Sequence, residues 1–364
     1  MSRALRRRLG QLVVAGFGGH AMPVELRALA REFDLGGVIL FGRNVEAPMQ
    51  VAELAREARE LPTELPTWVS IDQEGGRVQR LRAPCTEWPP VASLGRSGDR
   101  DLARRFGRAL ARELRAVGIT LDYAPVLDVG TNPRNPVIGD RAPATDPARA
   151  AALGAEVILG LQGGGVAACG KHFPGHGDTD LDSHKELPVV EHERGRLEEV
   201  ELPPFRAAIE AEVAALMTAH VRYPALDESS PATLSPAVIT ELLRGDLGFN
   251  GWIVTDDLTM GAITADHTVP DAAVAAIAAG CDGMLLCEPD PEAQAAVLER
   301  LIRAVEDKTL PEPRVEDALR RQRRAKERFL DGDDEWRPPR ARALDAVLGC
   351  DEHQAVAREM RRHL

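Results

Sequence analysis

Long hydrophobic runs are missing from this 364-residue sequence: no stretch approaches the roughly 18 consecutive apolar residues of a membrane-spanning helix. Arg6, Arg7 and Arg8 stand before an apolar segment at residues 9–17, as they would in a secretion signal. However, Gln11 interrupts that segment, and no small-residue cleavage site follows it. A helix leading into a buried strand explains the segment better. We therefore expect no association with a membrane, and we expect the protein in the cytoplasm.

Basic residues are also too few for a nucleic-acid-binding protein. The 45 lysines and arginines are outnumbered by 57 acidic residues, which gives a formal net charge of −12. A chain with this balance is repelled by phosphate backbones and by anionic lipid surfaces. Neither nucleic acid nor a membrane is therefore expected as a partner.

Cysteine is scarce and irregularly spaced. The five cysteines are an odd number spread over a large chain, and no spacing typical of a metal site links them. We expect reduced thiols in the core rather than a disulfide framework. They are Cys85, Cys169, Cys281, Cys287 and Cys350.

What the sequence does contain is a regular alternation of short apolar runs with longer amphipathic segments. Uninterrupted apolar runs indicate parallel strands that are covered on both faces. Eight of them alternating with helices predict an α/β fold of the (β/α)8 TIM-barrel type. An open doubly wound sheet is the structural alternative, but no G-x-G-x-x-G follows the first run. The apolar runs are residues 11–17, 37–41, 67–71, 120–126, 166–170, 215–219, 252–255 and 283–287. The amphipathic segments are 48–60, 101–117, 147–161, 191–212, 236–244, 272–279 and 291–306.

The character of the chain changes after Leu330. Residues 331–335 are acidic and contain a glycine, Pro338 and Pro339 follow, and residues 341–364 again have a helical pattern. We interpret residues 1–330 as one catalytic barrel. Residues 331–364 are then a turn and a C-terminal helix packed on the barrel, rather than a second domain.

Polar residues cluster where the proposed strands end. In a barrel the catalytic groups lie at the carboxyl ends of the strands and in the loops that follow them. One histidine or aspartate there could be a structural hydrogen-bonding group, but the convergence of five strands favours a functional site. The residues concerned are Asp72 to Arg77, Asp128 with Arg141, Lys171 to Asp178, His220 with Arg222, and Asp256 with Asp257.

Two groups of residues could carry chemistry at neutral pH. Asp182 precedes His184 by two residues, so the carboxylate could orient the imidazole and raise its basicity. The D-x-H pattern alone is weakly specific. Asp256 ends an apolar strand, where a carboxylate could act as nucleophile or general base, or could be the N-cap of a helix from Leu258 onward. Of the two adjacent aspartates, Asp257 is the better cap candidate and Asp256 the better catalytic candidate.

At these residues the sequence resembles glycoside hydrolase family 3. The resemblance rests on I-D-Q-E-G-G-R-V-Q-R at 71–80, K-H-F-P-G-H-G at 171–177 followed by D-S-H at 182–184, and V-T-D-D-L-T-M at 254–260. Within the family, the sequence resembles the bacterial β-N-acetylhexosaminidases of peptidoglycan recycling. The resemblance extends from about residue 10 to 330.

The resemblance implies a retaining exo-β-N-acetylglucosaminidase that works by double displacement. By the same resemblance, Asp256 is the nucleophile, and His184 is the general acid/base with Asp182 as its orienting partner. The sugar-binding residues it implies are Asp72, Arg80, Arg141, Lys171 and His172. Its substrates would be peptidoglycan fragments of the GlcNAc-1,6-anhydro-MurNAc type. No cofactor and no metal are implied, and the family suggests a monomer.

Two features of the sequence depart from many family members. Ala142 and Pro143 follow Arg141 where many relatives have serine and an aromatic residue, and we expect no second αβα domain of the kind found in many β-glucosidases. The latter favours the compact N-acetylhexosaminidase type. Because aromatic residues make up only 4% of the chain, hydrogen bonds rather than ring stacking should dominate sugar recognition.

Other functions remain possible interpretations of the sequence. A family-three β-glycoside phosphorylase would use phosphate instead of water in the second step, and another β-glycosidase would share the same catalytic pair. A metal-dependent barrel hydrolase could use the histidine cluster, although no H-x-H ends the first strand. A non-catalytic binding barrel would have lost the catalytic positions, and here they are all present.

Overall fold

The computed structural model describes residues 3–332 and 336–364, and its centre is a closed barrel of eight parallel strands. The strand order around the barrel is β1-β10-β9-β8-β7-β6-β3-β2, and each neighbouring pair is parallel. The predicted (β/α)8 TIM barrel is therefore confirmed. The barrel strands are β1 Val13–Gly16, β2 Gly37–Leu40, β3 Trp68–Ile71, β6 Leu121–Asp122, β7 Ala167–Phe173, β8 Ala215–Thr218, β9 Trp252–Asp257 and β10 Gly283–Leu286.

The strands are buried on both faces, as their uninterrupted apolar sequences predict. A cluster of buried side chains from alternate strand positions is separate from the core beneath the helices, and it fills the inside of the barrel. Trp68 and Trp252 stack within it with ring centroids 6.2 Å apart. The barrel interior is thus packed, so a ligand can enter only at the ends of the strands.

Helices surround the barrel and connect its strands. Several begin at a proline in the first turn or at an aspartate whose side chain accepts hydrogen bonds from the first backbone N–H groups. The α-helices are α1 Arg3–Gly10, α2 Val24–Phe33, α3 Pro48–Arg59, α4 Ala92–Ser97, α5 Arg100–Ala116, α6 Pro147–Gly163, α7 Arg194–Arg196, α8 Pro203–Glu210, α9 Gly261–Thr264, α10 Val269–Ala279, α11 Pro291–Glu306, α12 Glu312–Leu330, α13 Ala341–Asp345 and α14 Asp351–Arg361. Short 3₁₀ segments lie at Gly42–Asn44, Gly139–Arg141 and Ala232–Leu234, and π-helical segments at Leu197–Glu201 and Ala237–Asp246.

The sequence did not predict a small hairpin directly after β3. Strands β4 Gln73–Gly75 and β5 Val78–Gln79 pair antiparallel, and Gly75 and Gly76 at their turn have positive φ angles. The Gln73 side-chain oxygen accepts hydrogen bonds from the backbone N–H groups of Arg80 and Leu81. This hairpin fixes the residues that follow β3 against the mouth of the barrel.

The predicted single helix over residues 341–364 is wrong. The segment forms α13 and α14, separated at Gly349, whose φ of +60° is unfavourable for residues with a side chain. Helix α14 packs against α5, where the buried His353 contacts Glu113 through Nδ1 at 2.9 Å. The predicted turn over 331–335 extends beyond the described residues, and the division of the chain at residue 330 stays a prediction.

The cysteines are free thiols among the described residues. Cys85, Cys169 and Cys281 are buried, while Cys287 and Cys350 are partly exposed. In the described part of the chain, no helix has the length and apolar character needed to cross a lipid bilayer.

Candidate active site

A cavity of about 300 Å³ opens at the carboxyl ends of the barrel strands. Its size falls at the lower end of the range for small-molecule sites. Side chains from strand ends and from the loops that follow them line the cavity, as expected for a barrel enzyme. The polar lining residues are Arg43, Asp72, Glu74, Arg80, Arg141, Lys171, His172, His176, Ser183, His184, Asp256, Asp257 and Glu288.

A buried network of opposite charges forms one wall of the cavity. Glu74 accepts two hydrogen bonds from the Arg141 guanidinium, both at 2.8 Å, and lies 2.7 Å from Lys171 Nζ. Lys171 Nζ also donates to Asp72 at 2.7 Å. Burial alone would raise the pKa of Glu74, but Arg141 and Lys171 together hold that pKa well below its usual range. The pKa of Lys171 is raised because its two carboxylate partners outweigh its burial. Glu74, Arg141 and Lys171 are therefore charged at neutral pH.

The ring of Phe41, which lines the cavity, contacts two guanidinium groups. The guanidinium of Arg43 lies 4.5 Å from the Phe41 ring centroid, and that of Arg80 lies 5.4 Å from it. Arg80 also donates to Asp72 at 3.4 Å. Through this bond to Asp72, Arg80 becomes part of the charged wall of the cavity.

Asp128 organises the histidines at the end of β7. Its carboxylate lies 2.7 Å from His172 Nδ1 and accepts the backbone N–H groups of His172 and His176. Burial raises the pKa of Asp128, but the charge and hydrogen bonds of His172 reverse that effect and lower it overall. The Asp128 carboxylate therefore fixes the orientation of the His172 ring through Nδ1, and the ring's Nε2 is available for other contacts.

Asp256 lies at the end of β9 and borders the cavity. Its Oδ1 accepts the backbone N–H of Asp257 at 2.8 Å, and among the described residues no side chain hydrogen-bonds to its carboxylate. Burial raises its pKa, yet His172 and His220 outweigh burial and lower it below the usual range. The carboxylate is therefore ionised at neutral pH and free of a tight ion pair, as a nucleophile requires.

The neighbouring Asp257 has a structural role. It accepts hydrogen bonds from the N–H and hydroxyl of Thr259 and from the N–H of Cys287. The buried His220 contacts the Asp257 carbonyl oxygen at 3.0 Å through Nε2, and burial lowers the pKa of this imidazole. The predicted helix N-cap at Asp257 is wrong, because α9 begins at Gly261 and its N-cap is Met260. Asp257 instead accepts hydrogen bonds within the turn that precedes this helix.

Asp182 and His184 form a pair at the edge of the cavity. Asp182 Oδ1 lies 2.7 Å from His184 Nδ1 and also accepts the His184 backbone N–H at 3.0 Å. These hydrogen bonds outweigh partial burial and lower the pKa of Asp182. The His184 side chain is 63% exposed. Its Nε2 is therefore open to solvent and to a ligand.

The structure brings nearly all of the predicted site residues to one cavity. Seven of the eight line it directly, while Asp182 reaches it through His184. Their catalytic and binding roles stay predictions. The predicted residues that line the cavity are Asp72, Arg80, Arg141, Lys171, His172, His184 and Asp256.

Sequence reasoning gave no role to Glu74, Phe41 or Arg43. Glu74 lies within the recognised string at 71–80, so an acidic residue two positions after Asp72 was the available signal. Phe41 and Arg43 follow β2, and only their place after an apolar run could have marked them.

Comparison with known proteins identifies close relatives of this chain. Residues 4–325 match the model of the glycosyl hydrolase family 3 N-terminal domain. A β-hexosaminidase of Thiobacillus denitrificans is 44% identical over 299 residues, which are 80% of this chain and 82% of that protein.

Solved structures with the same fold include proteins from Paenibacillus and Neisseria. A glycoside hydrolase family 3 β-N-acetylglucosaminidase from Paenibacillus sp. FPU-7 is 42% identical with a TM-score of 0.91, covering 99% of this chain and 68% of that one. NagZ from Neisseria gonorrhoeae, in complex with N-trifluoroacetyl-D-glucosamine, is 32% identical with a TM-score of 0.77, covering 97% of each chain.

Proposed function

The chain belongs to the glycosyl hydrolase family 3 N-terminal domain family and is a β-N-acetylhexosaminidase, and we propose that it releases terminal β-linked N-acetylglucosamine with retention of configuration. The observation that carries this proposal is a single cavity that holds an ionised Asp256 together with the Asp182–His184 pair. This arrangement supports double displacement, which needs a nucleophile and an acid/base group at one site.

In the first step, Asp256 attacks the anomeric carbon through an oxocarbenium-like transition state. The lowered pKa of Asp256 supports this role, because it keeps the carboxylate ionised. His184 protonates the leaving oxygen as the glycosidic bond breaks, and a glycosyl ester with Asp256 results.

In the second step, His184 removes a proton from water, and the water oxygen attacks the anomeric carbon of the ester. The sugar leaves with its original configuration, and Asp256 returns to the carboxylate form. Asp182 at Nδ1 supports this alternation, since it fixes the ring with Nε2 outward.

The charged wall of the cavity is suited to hold the sugar hydroxyls. Asp72 and Lys171 offer a charge-assisted acceptor and donor, while Arg80, Arg141 and His172 add further donors at the same wall. Hydrogen bonds to charged groups are stronger than neutral ones and are directional. The small cavity favours one terminal sugar unit, hence exo action.

For the natural substrate we propose peptidoglycan fragments of the GlcNAc-1,6-anhydro-MurNAc type, handled by a cytoplasmic monomer without a cofactor. The support is the resemblance to β-N-acetylhexosaminidases of peptidoglycan recycling, together with the similarity to NagZ. Chitin oligomers carry the same terminal sugar and are the alternative substrate. A comparison of kcat/KM on the two substrates distinguishes these sources.

A phosphorylase and a metal-dependent hydrolase are the competing functions. Arg80, Arg141 and Lys171 could hold phosphate, but their charges are already paired with Asp72 and Glu74. Among the described residues, the three His, Cys or acidic side chains close enough to share a metal are Cys350, Glu352 and His353, which do not line the cavity. Activity that is independent of phosphate and of chelators separates hydrolysis from both alternatives.

The decisive experiment is NMR of the first-formed sugar from an aryl β-N-acetylglucosaminide. We expect the β-anomer to appear first and the α-anomer to follow by mutarotation. If the α-anomer appears first, double displacement is wrong. A lack of turnover on this substrate, with turnover of an aryl β-glucoside, would contradict the proposed sugar specificity.

A further inference from the structure

The loop that carries His184 is docked through its backbone on the start of α9. The carbonyl oxygen of His184 accepts the N–H of Gly261 at 3.0 Å, and that of Ser183 accepts the N–H of Ala262 at 3.1 Å. Helix α9 follows the turn after Asp256 in the chain. Two hydrogen bonds therefore connect the segment of the proposed nucleophile with the segment of the proposed proton donor.

Residue 261 must lack a side chain for this contact to form. A Cβ placed on Gly261 would lie 2.4 Å from the carbonyl oxygen of Lys185 and 2.8 Å from that of His184. Both are backbone atoms, which cannot move aside as a flexible side-chain end can. The φ angle of Gly261 is not in the left-handed region. The requirement for glycine is thus one of space and not of backbone conformation.

The same loop is anchored on its other side by His176. His176 Nε2 lies 2.9 Å from the Ser183 hydroxyl, and its Nδ1 lies 2.9 Å from the Thr179 hydroxyl. Its backbone N–H donates to Asp128. Burial lowers the pKa of His176 to about 4, so the ring is neutral and serves as a fixed hydrogen-bonding link at neutral pH. Ser183 is consequently held by both its hydroxyl and its carbonyl group.

We propose that Gly261 and Ser183 are positioning residues that set the distance of His184 from the bond to be cleaved. The inference rests on the proposed function of His184 as acid/base. The His184 ring is largely exposed, and the ring contact given by the structure is the one to Asp182, itself in the same loop. The ring position therefore follows the position of the loop backbone, which the bonds to α9 and His176 fix.

The test compares Gly261→Ala with Gly195→Ala on two substrates. Gly195 is exposed in α7, and a Cβ there meets no atom within 4 Å, so it is a matched control. The substrates are 4-nitrophenyl β-N-acetylglucosaminide, whose leaving group needs little protonation, and the phenyl analogue, whose leaving group needs more. We expect Gly261→Ala to lower kcat/KM on the phenyl substrate by roughly 10- to 100-fold, with a clearly smaller loss on the nitrophenyl substrate. Gly195→Ala should change neither value.

A second variant, Ser183→Ala, removes only the hydroxyl that contacts His176. It should show the same selectivity to a smaller degree, and it carries the test if Gly261→Ala does not fold. Equal losses on both substrates in these variants, or no loss, would overturn the positioning role.

His184→Ala, measured in parallel, separates this inference from the proposed function. If His184→Ala shows a selective loss on the phenyl substrate and the positioning variants do not, only the docking inference fails. If His184→Ala itself shows no selectivity, the assignment of His184 as acid/base fails.

Discussion

Replacing Glu74 with glutamine removes one negative charge from the buried wall of the cavity while preserving the volume of the side chain. The side chain of Glu74 is 1% exposed. It accepts two hydrogen bonds from Arg141 and forms an ion pair with Lys171. The amide of glutamine keeps one acceptor oxygen, but its NH2 group would face donors. The two cations would then remain buried, Lys171 with Asp72 as its partner and Arg141 with Asp128 and Asp72 as nearby anions.

The size of the effect follows from the burial of this network. Removing one partner of a buried ion pair costs about 3–5 kcal/mol of unfolding free energy, because the opposite charge is left uncompensated. Lys171 retains its bond to Asp72, so we expect a loss near the lower end, about 3 kcal/mol. The same change should weaken sugar binding, since Arg141 and Lys171 lose the group that orients them.

The effect should depend on pH in a defined direction. The folded-state pKa of Glu74 lies below its unfolded value, so its contribution to stability is fully present above the unfolded pKa of about 4.3. That contribution is lost as the pH falls toward the folded-state pKa. The difference in stability between wild type and Glu74→Gln should therefore be full at pH 7 and should shrink as the pH falls below about 4.3.

Urea denaturation at pH 7 and at acidic pH measures both effects. Glu64→Gln is a suitable control, because Glu64 is 66% exposed and lies 3.5 Å from Arg7 in a surface ion pair. Glu64→Gln should change the free energy of unfolding far less than Glu74→Gln does. The reasoning is refuted if Glu74→Gln and Glu64→Gln unfold at the same urea concentration, or if the Glu74 effect does not diminish in acid.

Three further predictions concern other parts of the molecule. Asp256→Asn should reduce turnover at least about 10³-fold, while the melting temperature stays close to that of wild type; near-normal turnover would disprove the nucleophile. Lys326 is buried, and burial lowers the pKa of its ammonium group to about 7. Between about pH 7 and 10.4, Lys326 is therefore protonated mainly in the unfolded chain, so the free energy of unfolding rises with pH. Lys326→Met should abolish this rise in urea denaturation at pH 7 and 9, and an unchanged rise would contradict the assignment. His353→Leu should lower the free energy of unfolding, measured by urea denaturation, by about 1–3 kcal/mol, because the buried Glu113 carboxylate loses one of its hydrogen-bonding partners. The control His267→Leu, at an exposed residue, should leave the free energy of unfolding nearly unchanged. Equal effects of the two substitutions would argue against the packing of α14 on α5 through His353.

The barrel could be predicted from the sequence because its strands are buried on both faces. Each strand then appears as a short apolar run that needs no partner information to be recognised. The fourth run, residues 120–126, was predicted too long, since the strand ends at Asp122. Pro125 within this run has no N–H for a ladder hydrogen bond. The break at Gly349 was missed because a glycine inside a helical pattern does not by itself reveal its φ angle.

The site was predictable to the extent that its residues stand at strand ends. Asp256 and the residues at 171–172 are of this kind. The partners of Glu74 could not be inferred in the same way, because Arg141 is 67 positions away and the contact depends on how the loop after β6 folds over the barrel. The need for glycine at position 261 likewise arises from a loop distant in sequence. Such requirements are properties of packing between segments, which local patterns do not contain.

The paired charges in the cavity wall also limit how this enzyme can change over evolutionary time. Asp72, Glu74, Arg141 and Lys171 each have a partner in the same group, so the cost of replacing one depends on the identity of the others. A single substitution leaves an uncompensated charge, whereas a paired substitution could restore neutrality. We therefore expect a new sugar specificity to arise more readily at Phe41 and Arg43, whose contacts lie outside this group, than at the four charged positions.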